Sequence, residues 1–270
     1  MRVLFWNTKR NGLAPQVARI VKHQAVDLVV LAESGLSLGD LSTALAAEGE
    51  STLASPAGLC PRIVFYTRFP VTCTTVMEES DHASVRQVVL PTGESFLVAG
   101  VHLPSKLHRS DEDQAQYAQD VVQLIERAQA KAGHAKTIVI GDFNMSPDES
   151  GLVGAKAFHA VSSLKIAEKG GRTLDGRDYT FRYNPMWSLL GDASPGPPGT
   201  YYSQATGHYS LYWHMFDQVL VSPDLLPSIV LPCVTIVEAA GTESLLKNDV
   251  PHKTSLSDHL PIVFEFSPPP

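Results

Sequence analysis

Short runs of β-branched and aromatic residues recur along the chain, each of strand length and each bounded by polar or turn-forming residues. Arg2 to Trp6, Asp27 to Ala32, Arg62 to Tyr66, Val85 to Leu90, Ser95 to Leu103, Thr137 to Ile140, Phe216 to Val221 and Pro261 to Phe266 have this character, which predicts strands. Pro91-Thr92-Gly93-Glu94 supplies turn chemistry between the fourth and fifth runs, so these form an antiparallel hairpin and the sheets are mixed. Helical spacing appears between the runs. Ala115, Ala118, Val122, Ile125 and Ala128 mark the buried stripe of a helix over about Asp111 to Lys131. Ser110 suits its N-cap, the acids at 111 to 113 suit its positive end, and Gly133 stops it. Shorter helices are predicted over Pro15 to Lys22 and Leu41 to Ala47. The stretch from Gly191 to Gly199 is rich in Pro and Gly and reads as an exposed loop within the same fold.

Length and composition narrow this picture. At about 150 residues per domain, 270 residues allow one or two. One α/β domain over 1–266, followed by a short tail at 267–270, is the expectation. The chain is 44% hydrophobic and 18% charged, enough to fill a core and unlike a disordered chain. No apolar run reaches the roughly 18 residues of a membrane span, and the apolar start is cut short by Asn7. A cytoplasmic protein without a membrane partner is expected. The net charge of −7 argues against a broad nucleic-acid-coating surface, though not against a local basic cleft. Cys60, Cys73 and Cys233 are too widely spaced for a C-x-x-C site and read as reduced thiols.

Most informative are the polar residues at strand ends: Asn7 in F-W-N, Glu33 in V-V-L-A-E, His102 in G-V-H-L, Asp142 and Asn144 in V-I-G-D-F-N, Asp217 in M-F-D-Q-V, and Asp258 and His259 in S-D-H-L-P-I. Strand ends and the loops after them form the ligand-binding rim of layered α/β folds. Carboxylates and an amide oxygen suit Mg²⁺ or Mn²⁺, and no Cys/His cluster favours zinc. A hard cation beside a His and a spare carboxylate is the equipment of metal-assisted phosphoester hydrolysis. Taken singly, each residue has a plainer reading: Glu33 as a surface carboxylate, His102 as a structural His, Asp217 as a partner for backbone donors, G-D-F-N as a turn. The last is the sharpest, because two polar groups at the end of a buried strand need compensation.

Taken in order, the set resembles the endonuclease/exonuclease/phosphatase superfamily over essentially the whole chain, from Asn7 to Phe266. The resemblance implies a four-layer α/β sandwich of two mixed β-sheets flanked by helices, and divalent-metal-dependent cleavage of phosphoesters. By the same resemblance Glu33 is the principal metal acid, with Asn7 and Asp258 around the ion. Asp142 positions or deprotonates the attacking water, Asn144 contacts the phosphate, His259 is the catalytic His and Asp217 orients it. His102 contacts the phosphate or the leaving group. Ala32 departs from the family, which often has Gln there. Ser80-Asp81-His82 repeats the S-D-H text without the following Pro and apolar strand, and is read as a loop.

The substrate is less legible. His102-Leu103-Pro104 departs from the apurinic-site endonuclease pattern, and the P-x-W-x-D-R element of inositol polyphosphate 5-phosphatases is absent. Secreted sphingomyelinases and pancreatic-type deoxyribonucleases resemble G-V-H-L better but carry export signals. Lys9, Arg10, Lys106, His108 and Arg109 place cations just past the candidate strands, and aromatic residues crowd between positions 179 and 216, Tyr212 and Trp213 among them. Cations can track a phosphate backbone and aromatics can stack unpaired bases, although solvated loops and a small aromatic core are the plainer alternatives. The expectation is a nuclease acting on single-stranded or structured DNA or RNA. A phosphoesterase of nucleotides or phosphorylated metabolites is the alternative, and a non-catalytic binding module is disfavoured by the full motif set.

Overall fold

The computed structural model describes residues 1–107, 109–204 and 210–268; His108, Tyr209 and the last two residues of the expected tail lie outside them. In chain order the elements that build the site are β1 (Arg2–Asn7), α1 (Ala14–His23), β2 (Leu28–Ala32), α2 (Leu38–Ala47), β3 (Ile63–Thr67), β4 (Thr74–Glu79), β5 (Ala83–Val89), β6 (Ser95–His102), α3 (Asp111–Ala132) and β7 (Thr137–Asp142). Short strands follow: β8 (Ala160–Val161), β9 (Gly171–Leu174), β10 (Arg177–Thr180), β11 (Arg182–Tyr183), β12 (Tyr201–Tyr202) and β13 (Trp213–His214). The chain then forms β14 (Asp217–Val221), β15 (Val234–Ile236) and a final strand, Ile262–Glu265.

These strands make two large mixed sheets. One runs β15, final strand, β1, β2, β3; the other runs β4, β5, β6, β7, β14, β11, β8. β1 pairs with β2 in parallel and β6 with β7 in parallel, while the final strand and β14 run antiparallel to their neighbours. Alternation along β7 shows the layering. Ile138 and Ile140 join the core shared by both sheets, whereas Val139 joins Leu97, Ala99 and Val101 against Ala118, Val122, Ile125 and Ala128 of α3. On the other sheet, Val17, Ile20 and Val21 of α1 and Leu41 and Leu45 of α2 complete the larger core. The result is the α/β sandwich of two mixed sheets flanked by helices.

Gly100 in β6 sets how closely the sheets approach. A Cβ there would stand 2.8 Å from Ile63 Cγ2 and 2.9 Å from Val30 Cγ1, both on the facing sheet. Gly100→Val would force the sheets apart, and overpacking of this kind typically destabilises by about 1–3 kcal/mol. The expected result is a lower urea midpoint with an unchanged slope.

The long helix follows its sequence signals: Ser110 and Asp113 form a reciprocal capping box, and Gly133 ends the helix with φ of 74°. Ala115 is only half-buried, and its neighbour Gln114 is the buried one. Gln114 Nε2 donates to the carbonyls of Pro104 and Asn144, at 2.9 Å each, tying two rim loops together. β4 was not predicted, because T-T-V-M-E-E is a polar edge strand that shows no apolar run, and a bulge interrupts its pairing with β5. α2 starts three residues earlier than expected, since Ser37 caps it by accepting from the Asp40 N–H. The hairpin turn at 91–94 and the loop reading of Ser80-Asp81-His82 agree with the structure; the stretch 191–199 is a loop, exposed at Asp192, Ala193, Pro195 and Gly196 but buried at Pro197 and Gly199. The three cysteines are free. Among the described residues no helix is long and apolar enough to cross a membrane.

Candidate active site

Strand parity gathers the polar residues. Val3, Phe5 and Asn7 alternate along β1, and Phe5 pairs with Val30, which faces Gly100 across the gap between the sheets. On β6 the residue two past Gly100 is His102, which pairs with Asp142, which in turn pairs with Asp217. A period of two therefore turns Asn7, His102, Asp142 and Asp217 into the gap at one end of the sandwich. Glu33 and Asn144 lie just beyond strand ends, and both adopt left-handed backbone, with φ of 46° and 50°. Backbone of this kind in non-glycine residues is held by its surroundings and clusters at functional sites. Here the Glu33 carbonyl accepts from Arg10 N–H and Thr8 Oγ1, and Asn144 Nδ2 donates to the Leu103 carbonyl.

The distances define one connected centre. Asn7 Nδ2 donates to Asp142 Oδ2 at 3.0 Å and lies 3.5 Å from Glu33 Oε1. His102 Nε2 stands 3.5 Å from Glu33 Oε1 and 3.7 Å from Asp142 Oδ2. His259 Nδ1 donates to Asp217 Oδ2 at 2.8 Å, which leaves Nε2 facing Asp142 Oδ2 at 3.9 Å. The His259 backbone is held from both sides: Trp6 Nε1 donates to its carbonyl, and its N–H donates to Ser257 Oγ, which donates to the Asn7 carbonyl.

Burial and charge pull these groups in different directions. Burial alone would lower the pKa of His259, but the carboxylates of Asp217 and Asp142 outweigh it and raise it to about 10. Its ring is thus an imidazolium at neutral pH. Burial pushes His102 down, so that ring is neutral, and burial pushes the Asp142 carboxyl up against the opposing pull of His259. Replacing Asp217 by Asn removes the nearest countercharge. In that variant the His259 ring is expected to lose its proton well below pH 10, read from its ring resonances in an NMR pH titration.

Glu33, Asp258 and Asn7 line a cleft of about 530 Å³ together with His102, Asp142, Asn144 and His259. Glu33 and Asp258 keep part of their side chains exposed to it, at 32% and 21%. Oxygen donors dominate this wall and no cysteine lines it, a donor set that fits a hard divalent cation. Asp142, Asp217 and His259 also offer donor atoms within 4.8 Å of one another. Asp217 Oδ2 is committed there to His259, whose Nε2 faces Asp142 Oδ2 at 3.9 Å, so within this trio the His259–Asp217 hydrogen bond already occupies one of the donor pairs.

The basic residues singled out in the sequence are mostly paired with acids. Lys9 Nζ is 2.9 Å from Asp258 Oδ2, Arg10 Nε is 3.8 Å from Glu33 Oε2, and Lys106 pairs with both Asp111 and Glu149. Lys9 and Lys106 line the cleft; Arg10 borders a neighbouring one, and Arg109 lies over the Tyr117 ring at 5.8 Å. Tyr212 is half-exposed and does not line the cleft, nor does Trp213, which packs edge-on against Tyr202. The aromatic wall is built instead by Tyr201, Phe216 and His214. Phe216 stacks on Tyr201 at 5.2 Å and on His214 at 4.8 Å, and the Tyr201 ring lies 4.8 Å from that of His259. Parity is the signal that distinguishes them: Trp213 and His214 are successive residues of β13 and face opposite ways.

The chain matches the model of the Endonuclease/Exonuclease/phosphatase family over residues 4–259. It belongs to that family, whose members are metal-dependent phosphodiesterases, nucleases and phosphatases. No curated protein sequence matches it. Among solved structures it is similar to D. rerio TDP2 complexed with single strand DNA product, at 16% identity and a TM-score of 0.55, over 99% of this chain and 98% of that one. The human Nocturnin catalytic domain with bound sulfate anion gives 14% identity, TM-score 0.53 and coverage of 99% and 94%. The 3′ phosphatase NExo from Neisseria bound to product DNA hairpin gives 15%, 0.52 and 99% of both chains. At these identities the likeness is one of fold.

Proposed function

We propose that the chain is a divalent-metal-dependent phosphodiester hydrolase whose substrate is a single-stranded or structured nucleic acid. The observation that carries this reading is the convergence of Glu33, Asn7, His102, Asp142 and the His259–Asp217 pair in one cleft. Glu33, Asn7 and Asp258 would hold Mg²⁺ or Mn²⁺. When bound, the ion neutralises phosphate charge and orients the scissile group. Asp142, with its carboxyl pushed up by burial, takes the proton of the attacking water through the oxygen that faces both histidines; as the water oxygen bonds to phosphorus the opposite P–O bond breaks, and the leaving oxygen takes its proton from solvent. His259, protonated and fixed by Asp217, donates from Nε2 to the phosphoryl oxygens as negative charge builds on them. His102, neutral, and Asn144 contact the phosphate from the second sheet.

TDP2 and NExo were solved with DNA products, and the wall of Tyr201, Phe216 and His214 offers a stacking face beside His259. His214→Ala is expected to lower kcat/KM on an oligonucleotide by about 1–3 kcal/mol. Hydrolysis of bis(p-nitrophenyl) phosphate is expected to change little, as is either activity in Trp213→Ala. Equal losses on both substrates would remove the stacking role.

A specific observation favours a second reading, a phosphoesterase of small molecules: Lys9, Arg10 and Lys106 are already ion-paired, which weakens any backbone track. Activity on labelled single strands, duplexes and small phosphodiesters, with and without EDTA and across salt, separates the two. A strand substrate held by a phosphate track loses rate steeply between low and physiological salt. A small phosphoester does not.

A further inference from the structure

A second cleft, of about 370 Å³, lies between α3 and the β9–β10 hairpin and shares no lining residue with the catalytic one. Gln123 and Glu126 of α3, Lys156, Arg177, Asp178 and Arg182 are among its walls. Tyr183, next to Arg182, pairs with Val221 at the end of β14 opposite Asp217. Four residues of strand therefore separate the two levels, roughly 13 Å at the usual rise.

Arg182 is the unusual group. It is only 5% exposed, and among the described residues its guanidinium makes one hydrogen bond, from Nη1 to the Phe158 carbonyl at 2.9 Å. Among the described residues it forms no ion pair within 4.0 Å. Arg86 shows how this fold treats a buried arginine that serves the core alone. That residue is 2% exposed, pairs with Glu79 at 3.2 Å, and donates to Ser84 and to the carbonyls of Pro56 and Ala57. A guanidinium has five N–H donors, and no Arg182 nitrogen is among the buried side-chain atoms left without a partner, so the donors not used on Phe158 open onto the cleft that Arg182 lines. Burial lowers the Arg182 pKa to about 10, with Glu126 the charge that offsets it. Lys156 and Arg177 add two exposed cations to the same cleft, while Asp178 is engaged by Thr173 Oγ1. The wall is braced from behind, where Arg172 Nε donates to His159 Nε2 and His159 Nδ1 donates to the Thr180 carbonyl.

We propose that this cleft binds a phosphate group away from the catalytic centre, with the Arg182 guanidinium as its fork-shaped donor and Lys156 and Arg177 at its mouth. The planar fork matches two phosphate oxygens, and Arg182, Lys156 and Arg177 outnumber the two acids of the cleft, Glu126 and Asp178, leaving it net positive. The group is either a free phosphate or one carried by a nucleic-acid strand that extends beyond the catalytic cleft. The site stands independently of the function proposed above.

Inorganic phosphate titrated calorimetrically into the full chain in EDTA tests it. The expected result is saturable binding, at least ~10-fold weaker in the double variant Lys156→Ala/Arg177→Ala and lost in Arg182→Gln, a factor consistent with loss of charge-assisted hydrogen bonds. His259→Ala removes any phosphate held by the catalytic centre and is expected to leave the saturable binding assigned to this second cleft unchanged. The exposed double variant keeps the test decisive if Arg182→Gln fails to fold. Competition by a 5′-phosphorylated oligonucleotide, abolished in the double variant, would identify the strand as the source; competition by phosphate alone would identify the free anion. Binding that does not saturate, or that disappears in His259→Ala while surviving in the double variant, would overturn the proposal.

Discussion

Replacing His259 by alanine is expected to lower kcat by roughly 10²- to 10³-fold, the usual loss when a preorganised donor to developing negative charge is removed. The size of the effect follows from how the ring is held. Asp217 Oδ2 accepts from Nδ1 at 2.8 Å, and Trp6 and Ser257 fix the backbone, so Nε2 is held in one position facing the cleft. His82 is the natural control. It carries the same S-D-H text, but its Nδ1 donates to the His102 carbonyl and its ring packs edge-on against Tyr117. His82→Ala is therefore expected to change kcat only slightly. Steady-state kinetics of both variants decides the matter, and a larger loss at His82 would mean that the wrong S-D-H has been given the catalytic role. Asp217→Asn is expected to fall between them, because the ring remains while its orientation and charge are weakened.

Removal of the metal is expected to have an effect at least as large. Chelation should abolish turnover, and Mg²⁺ or Mn²⁺ should restore it, because Glu33 and Asp258 are partly exposed carboxylates on the wall of the cleft. Glu33→Ala should stay inactive at metal concentrations that restore the unmodified chain, while its thermal unfolding changes little. Loss of a half-exposed carboxylate leaves the core untouched and relieves the Glu33 backbone of nothing it needs for packing. Full activity in EDTA would rule out the metal-dependent reading, and unfolding of Glu33→Ala would make its inactivity uninformative about the ion.

The amino-acid sequence by itself determined eight of the strands, the long capped helix and the identity of the polar residues that end the strands. Each of these rests on local physics: the side-chain period of two, the cap at Ser110 and the stop at Gly133, and the expense of leaving G-D-F-N polar groups at the end of a buried run. Alternation puts His102, Asp142 and Asp217 on one face of their sheet, and the stacking of the other sheet brings Asn7 opposite them. Tertiary structure decided the rest. A polar edge strand such as β4 has no apolar run to betray it and exists because β5 offers a partner. Lys9, Arg10 and Lys106 looked like free cations in the sequence, but the acids that pair with them come from distant positions or from turns whose direction only the fold sets. The stacking wall passed from Trp213 to His214 because a single residue of register reverses the face of a strand. Arg182 was invisible for the same reason: whether a buried arginine finds a carboxylate depends on what packs beside it, and that is a property of three dimensions.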